Sequence, residues 1–254
     1  MTRPGHRLWN LVEELRGHRF VDLTQAFRPG IPHSPDFTDE IRTVVNDFER
    51  DGFRSQRFDL VGQWGTHVDA PSHGAPGGRS IDEIAVIEMV APLVVLDVTD
   101  RVAVNPDFTL SAADVRAWEQ RHGEIPRRAF VALRTGWSRR WPDPVATANQ
   151  DATGVRHTPG WSVEALRFLS AARDIVACGH DTGDTDPGVL VTRGECPAET
   201  YILETGRYQI EFLTRLDEVP PTGAVVVAAF PKPERASGFP ARVFAVAPSV
   251  TAPG

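Results

Sequence analysis

Gln63-Trp64-Gly65-Thr66-His67-Val68-Asp69-Ala70-Pro71-Ser72-His73 places three good metal ligands within seven positions. His67 and Asp69 are two residues apart, so on a β-strand both side chains leave the same face. Pro71 lacks the donor that a sheet ladder needs and ends that strand. The chain then turns, and His73 swings back toward the same point. Gly65 lets the backbone approach closely. Imidazole and carboxylate together suit Zn²⁺, Mn²⁺ or Fe²⁺.

Outward from this run, strand-like and helix-like segments alternate. Leu8 to Leu15 has helical apolar spacing. Phe20 to Thr24 reads as a strand, residues 28–40 with their three prolines as a loop, and Ile41 to Val45 and Phe53 to Leu60 as strands. Ala91 to Val98 is a near-continuous apolar run, the pattern of a strand buried on both faces. Ser111, with Asp114 three residues on, caps a helix that turns Val115 and Trp118 inward and stops near Gly123. Ala129 to Arg134, Ile175 to Cys178 and Ala224 to Phe230 read as further strands, and a helix runs from Ser162 through Ser170. The pattern is that of a mixed α/β fold.

Composition sets the class. The 254 residues are 41% hydrophobic, enough for a core, and contain no apolar run of bilayer length. The net charge of −7, with both signs interspersed, argues against nucleic acid and anionic membrane partners. Two cysteines, Cys178 and Cys196, make no disulfide framework, and Met1 to Arg7 lacks a signal peptide's apolar stretch, so a cytoplasmic protein is expected. No Gly-x-Ser-x-Gly elbow, Gly-x-Gly-x-x-Gly run or P-loop is present, which disfavours serine hydrolysis and nucleotide cofactors.

The opening run resembles the signature of the cyclase family of metal-dependent hydrolases, the group of bacterial kynurenine formamidases and isatin hydrolase. That signature reads His-x-Gly-Thr-His-x-Asp-x-Pro-x-His, and Gly65, Thr66, His67, Asp69, Pro71 and His73 match it. Ser80-Ile81-Asp82-Glu83-Ile84, Gly179-His180-Asp181-Thr182 with Asp186-Pro187, and the segment from Tyr208 to Pro220 follow in the family's order. The resemblance covers roughly residues 18–248. It implies one domain over residues 1–254, with a mixed sheet, a swivelling β/β/α arrangement and a β-barrel-like core.

The resemblance also implies hydrolysis of an amide, lactam or formamide by metal-activated water. Glu211 matches a family metal ligand, and an ionised carboxylate between Ile210 and Phe212 needs a partner. Two departures stand out: Gln63 replaces the first signature His, and Glu199 falls where a second ligand His would be. Both shift the donor set toward oxygen, which favours Mn²⁺, with Zn²⁺ as the alternative. One firmly held ion is expected, on His67, Asp69 and either His73 or Gln63, with Glu211 in support. His73, His180 and Glu199 are the candidate catalytic residues, Glu199 or His180 as the base. Asp181, Asp184 and Asp186 read as a solvated acidic turn. Trp64, Phe27 and Tyr201, with Trp137 and Trp141 behind them, are expected to shape a pocket for a small cyclic or aromatic substrate. The two departures favour isatin-like ring hydrolysis over formamidase chemistry. A metal-dependent lyase or cyclase, or a binding protein with a decayed site, are the alternatives. The family's habit implies a homodimer or homotetramer, with the 28–35 segment reaching a partner's pocket.

Overall fold

The computed structural model describes residues 6–249. Its thirteen strands are β1 (Arg19–Asp22), β2 (Ile41–Asn46), β3 (Ser55–Asp59), β4 (His67–Asp69), β5 (Val90–Asp97), β6 (Thr109–Leu110), β7 (Phe130–Arg134), β8 (Gly160–Trp161), β9 (Ala177–His180), β10 (Tyr208–Glu211), β11 (Ala224–Ala229), β12 (Gly238–Pro240) and β13 (Arg242–Ala247). Nine form one sheet in the order β1-β13-β11-β5-β7-β9-β10-β4-β12. The middle four, β5 to β10, pair in parallel, and both flanks are antiparallel. This is the mixed α/β fold expected, with the sheet curled into a half-barrel.

Alternation along the strands divides the core in two. On β5, Leu93 and Val95 join one apolar cluster while Val94 and Leu96 join the other. The second cluster is covered by helices Ala112–His122, Val163–Ala172 and Pro197–Glu204, which contribute Trp118, Leu166, Leu169 and Ile202. The Ser111 cap has the anticipated geometry: its hydroxyl accepts from the Asp114 amide, and Asp114 accepts from the Ser111 amide at 3.0 Å.

Two segments differ from the sequence reading, and a third adds a strand absent from it. The β2–β3 hairpin stands apart from the main sheet as a separate two-stranded unit. Helix Arg7–Arg16 forms, but its apolar stripe is not buried. The Pro231–Pro240 segment supplies β12, which zips onto β4 and makes it an interior strand. Among the described residues, no helix is long and apolar enough to cross a membrane.

Candidate metal centre

The register of β4 against β10 builds the site. Val68 points into the first apolar cluster, so His67 and Asp69 leave the opposite face. On β10, Tyr208 and Ile210 join the same cluster, which turns Gln209 and Glu211 to the side of His67 and Asp69. Antiparallel pairing then sets Glu211 across from His67 and Gln209 across from Asp69. Four polar side chains thereby converge on one buried patch.

Two groups of ligands follow, and they share one residue. His67, Asp69 and Glu211 each bring a ligand atom within 4.8 Å of the others, and so do Asp69, His73 and Glu199. His67 Nε2 stands 3.4 Å from Asp69 Oδ2 and 3.6 Å from Glu211 Oε2. His73 Nε2 lies 3.5 Å from Glu199 Oε1. Of the expected trio of His67, Asp69 and His73 or Gln63, the first two stand together in one group, and His73 stands with Asp69 in the other. Glu211 takes the third place beside His67, because strand pairing puts it there directly.

The donors suit a cation. His67 Nδ1 donates to the Gly65 carbonyl at 2.8 Å, which leaves Nε2 with a free lone pair aimed at the carboxylates. Asp69 Oδ1 is buried without a hydrogen-bond partner. Burial and the charges of Asp69 and Glu199 push the Glu211 carboxyl well above its ordinary range. Burial, with Asp69 behind it, pushes Glu199 up to about 8. Burial would raise Asp69 too, but the adjacent His67 and His73 bring it down to about 2. A divalent ion would relieve this crowding of negative charge.

Neighbouring residues hold the ligands. The Gln63 amide lies 3.2 Å from His73 Nδ1, on the side away from the ligand atom. It packs over Gly238, where a Cβ would meet Gln63 Nε2. Asp186 accepts the amides of Ala198 and Glu199 at 2.8 and 2.9 Å, and so caps the helix that carries Glu199. Asp181 accepts from the amides of Thr135 and Gly136 at 2.8 Å. Asp184 pairs with Arg156 at 2.7 Å. Asp181 and Asp186 are buried, so the solvated acidic turn is overturned: these carboxylates organise the loop below the site.

His180 ends β9 and is completely buried. Its Nδ1 accepts from the Trp161 indole at 3.3 Å, which leaves the proton on Nε2, 3.4 Å from Glu211 Oε1. Burial pulls its pKa down to about 3, so the ring stays neutral. Among the described residues Nε2 has no hydrogen-bond partner. The ring is poorly suited to the role of base set out for it above, because its one lone pair already holds the indole.

The ligand groups open into a cavity of about 390 Å³. Its far walls are Pro32, His33, Pro35 and Phe37 from one side and Phe212, Pro144 and Arg156 from the other. The 28–35 segment thus lines the cavity of its own chain. Phe212 holds a left-handed φ of 53°, and its ring lies so close to Gly183 that a Cβ there would stand 2.1 Å from it. Strain of this kind at a cavity wall marks a side chain held by its surroundings.

The three expected pocket aromatics do not line this cavity. Trp64 is fully buried and supports the His33 ring from behind at 4.7 Å. Phe27 packs against Gly65, where a Cβ would stand 2.9 Å from it, and pairs with Phe58 over a different hollow. Tyr201 sits two residues beyond Glu199, hence on the opposite side of their helix, and its hydroxyl meets Ser170. Sequence reasoning missed Gln209, Arg156 and Phe212. The Gln209 amide sits among Asp69, Glu199 and Glu211 at 3.2 to 3.4 Å; the alternation Tyr208-Gln209-Ile210-Glu211 was the available signal.

A curled mixed sheet with a buried histidine–carboxylate cluster at the mouth of a small cavity defines a metal-dependent hydrolase type of site. The Putative cyclase family model matches residues 21–187, and the chain belongs to that family. Isatin hydrolase of Roseibium aggregatum is 33% identical over 242 residues, covering 90% of this chain and 91% of that one. The solved isatin hydrolase A of Ralstonia solanacearum superposes with a TM-score of 0.87 at 35% identity, over 97% of this chain and 99% of that chain. An isatin hydrolase solved with the product analogue thioisatinate gives 0.88 at 30% identity, over 98% and 100%.

Proposed function

We propose that this chain is a metal-dependent amidohydrolase that opens a small cyclic amide, isatin being the model substrate. The carrying observation is the convergence of His67, Asp69 and Glu211 on one face of the β4–β10 pair, with Asp69 Oδ1 buried and unpartnered. The likeness to isatin hydrolases over nine-tenths of the chain supports the substrate class. His67, Asp69 and Glu211 would hold a divalent ion, which would supply Lewis acidity toward a lactam carbonyl and a water of lowered pKa. The oxygen-rich donor set supports Mn²⁺, with Zn²⁺ second.

The chain's own groups do the rest. Glu199, whose burial gives it a high proton affinity, takes the proton from the attacking water. It then returns that proton to the departing ring nitrogen, so that C–N cleavage leaves a neutral amine and a carboxylic acid, which releases its proton to solvent as the carboxylate. His73, 3.5 Å away, orients Glu199, and Gln63 orients His73 in turn. The neutral His180 ring packs beside Glu211, with Nε2 3.4 Å from Oε1. The sharing of Asp69 between two ligand groups favours a second reading, in which His73 and Glu199 hold a second ion.

Assembly as a homodimer or homotetramer is part of the proposal. It is supported by apolar side chains left exposed on helix Arg7–Arg16 (Leu8, Trp9) and on the hairpin (Ile41, Val44, Phe58). The test is metal analysis followed by a panel of isatin, other lactams and aryl formamides with Mn²⁺ or Zn²⁺. Ring opening of isatin that is lost in Asp69→Asn and Glu211→Gln is expected. Stoichiometric metal with no turnover of any cyclic amide would refute the proposal.

A further inference from the structure

Arg156 is the only lysine or arginine on the cavity wall, among the described residues, and nothing in the metal chemistry uses it. It shares that wall with four carboxylates: Asp69, Asp184, Glu199 and Glu211. Only Asp184 engages it, through Nη2 at 2.7 Å. Among the described residues Nε is buried without a partner and Nη1, which is not buried, makes no hydrogen bond, so the accessible end of the guanidinium has unused donor capacity beside the cavity. The side chain is 24% exposed there.

The residue is also held firmly. Its amide donates to Thr192 Oγ1 at 2.9 Å, and its carbonyl sits where a Cβ on Gly188 would come within 2.7 Å. The neighbouring turn is tied by Asp151, which accepts from Thr153 and Val155, and by the Asn149 amide bonded to the His157 carbonyl. A cation fixed in place by its own carboxylate is a preorganised donor rather than a free charge. Asp184 leaves it little net attraction for an anion, but its N–H edge still recognises a neutral oxygen.

We propose that Arg156 determines specificity by donating to a second oxygen on the substrate, the ketone carbonyl adjacent to the scissile amide. This rests on the cyclic-amide reading above and narrows it to 1,2-dicarbonyl substrates. The ring nitrogen and the scissile carbonyl face the ligand groups; the neighbouring ketone faces the guanidinium. Lactams without the ketone leave the donor unmatched in a partly dry cavity, which costs affinity.

Calorimetry with Mn²⁺-loaded protein separates the possibilities. Phenylglyoxylate carries the adjacent ketone and benzoate lacks it. Wild-type protein is expected to favour phenylglyoxylate by about 10- to 100-fold, the range of a charge-assisted hydrogen bond. Arg156→Gln should erase that preference while leaving benzoate affinity unchanged, and Arg156→Lys should restore part of it. A merely structural role would weaken both ligands together. Equal binding of the two ligands by wild-type protein, or an undiminished preference in Arg156→Gln, overturns the assignment. Turnover of isatin is read separately, so failure of the lactam reading is not mistaken for failure of this one.

Discussion

Chelating all metal should make this protein lose stability as pH rises from 7 to 8.5. The cause is the carboxylate cluster. Glu199 titrates near 8 in the fold, against an ordinary 4.5. A carboxyl raised in the folded state stabilises it below the ordinary pKa, and that stability is lost as pH climbs to the folded value. Each pH unit in that window costs about 1.4 kcal/mol for every proton that only the folded state holds. Glu199 is 20% exposed, so solvent screening reduces the figure, and we expect a fall of about 1 kcal/mol between pH 7 and 8.5. Glu211 and His67 are raised as well and act in the same direction. Asp69 and His180 are lowered, and their windows close by about pH 6.5, below the range tested. The assay is urea unfolding with chelator at the two pH values, repeated with Mn²⁺. An ion at about 100 times its Kd should add about 2.7 kcal/mol and remove or reverse the decline, since it binds the deprotonated ligands. A chelated protein whose midpoint is flat or rises over this range would refute the reasoning.

Three further outcomes are expected. Gly183→Ala should drive the Phe212 ring from its seat, cost about 1–3 kcal/mol of stability and raise KM for isatin; denaturant unfolding and steady-state kinetics check both. His180→Gln should lower activity but preserve the shape of the kcat/KM against pH profile, because the ring is neutral throughout; loss of the acid limb would make His180 the base. Light scattering should return a multiple of 27.9 kDa, and Trp9→Glu with Phe58→Glu should shift it toward the monomer.

The sequence carried the ligand run far into the structure. The two-residue spacing of His67 and Asp69 correctly gave a shared face, and Glu211 stood out as a charge between apolar neighbours. The apolar run of β5 and the Ser111 cap were equally legible, because period and cap chemistry are local. Pairing partners are not local. That β10 lies against β4, and in which register, decides that Gln209 joins the cluster, and no single segment records it. The acidic turn was misread for the same reason: Asp181 and Asp186 are satisfied by amides 46 and 12 residues away. The aromatics were judged by closeness in sequence to the ligands, whereas Trp64, in the loop before β4, is buried behind His33, and Tyr201 lies on the far side of the helix that carries Glu199. Arg156 and Phe212 carry no motif; only the closed cavity shows them.

The most direct test is to incubate the Mn²⁺-loaded protein with isatin in ¹⁸O-enriched water and weigh the product. The account predicts ring opening with one ¹⁸O in the new carboxylate, abolished by chelation and by Asp69→Asn. A fully metal-loaded, folded protein that leaves isatin and related cyclic amides intact, or a product without solvent oxygen, would contradict it.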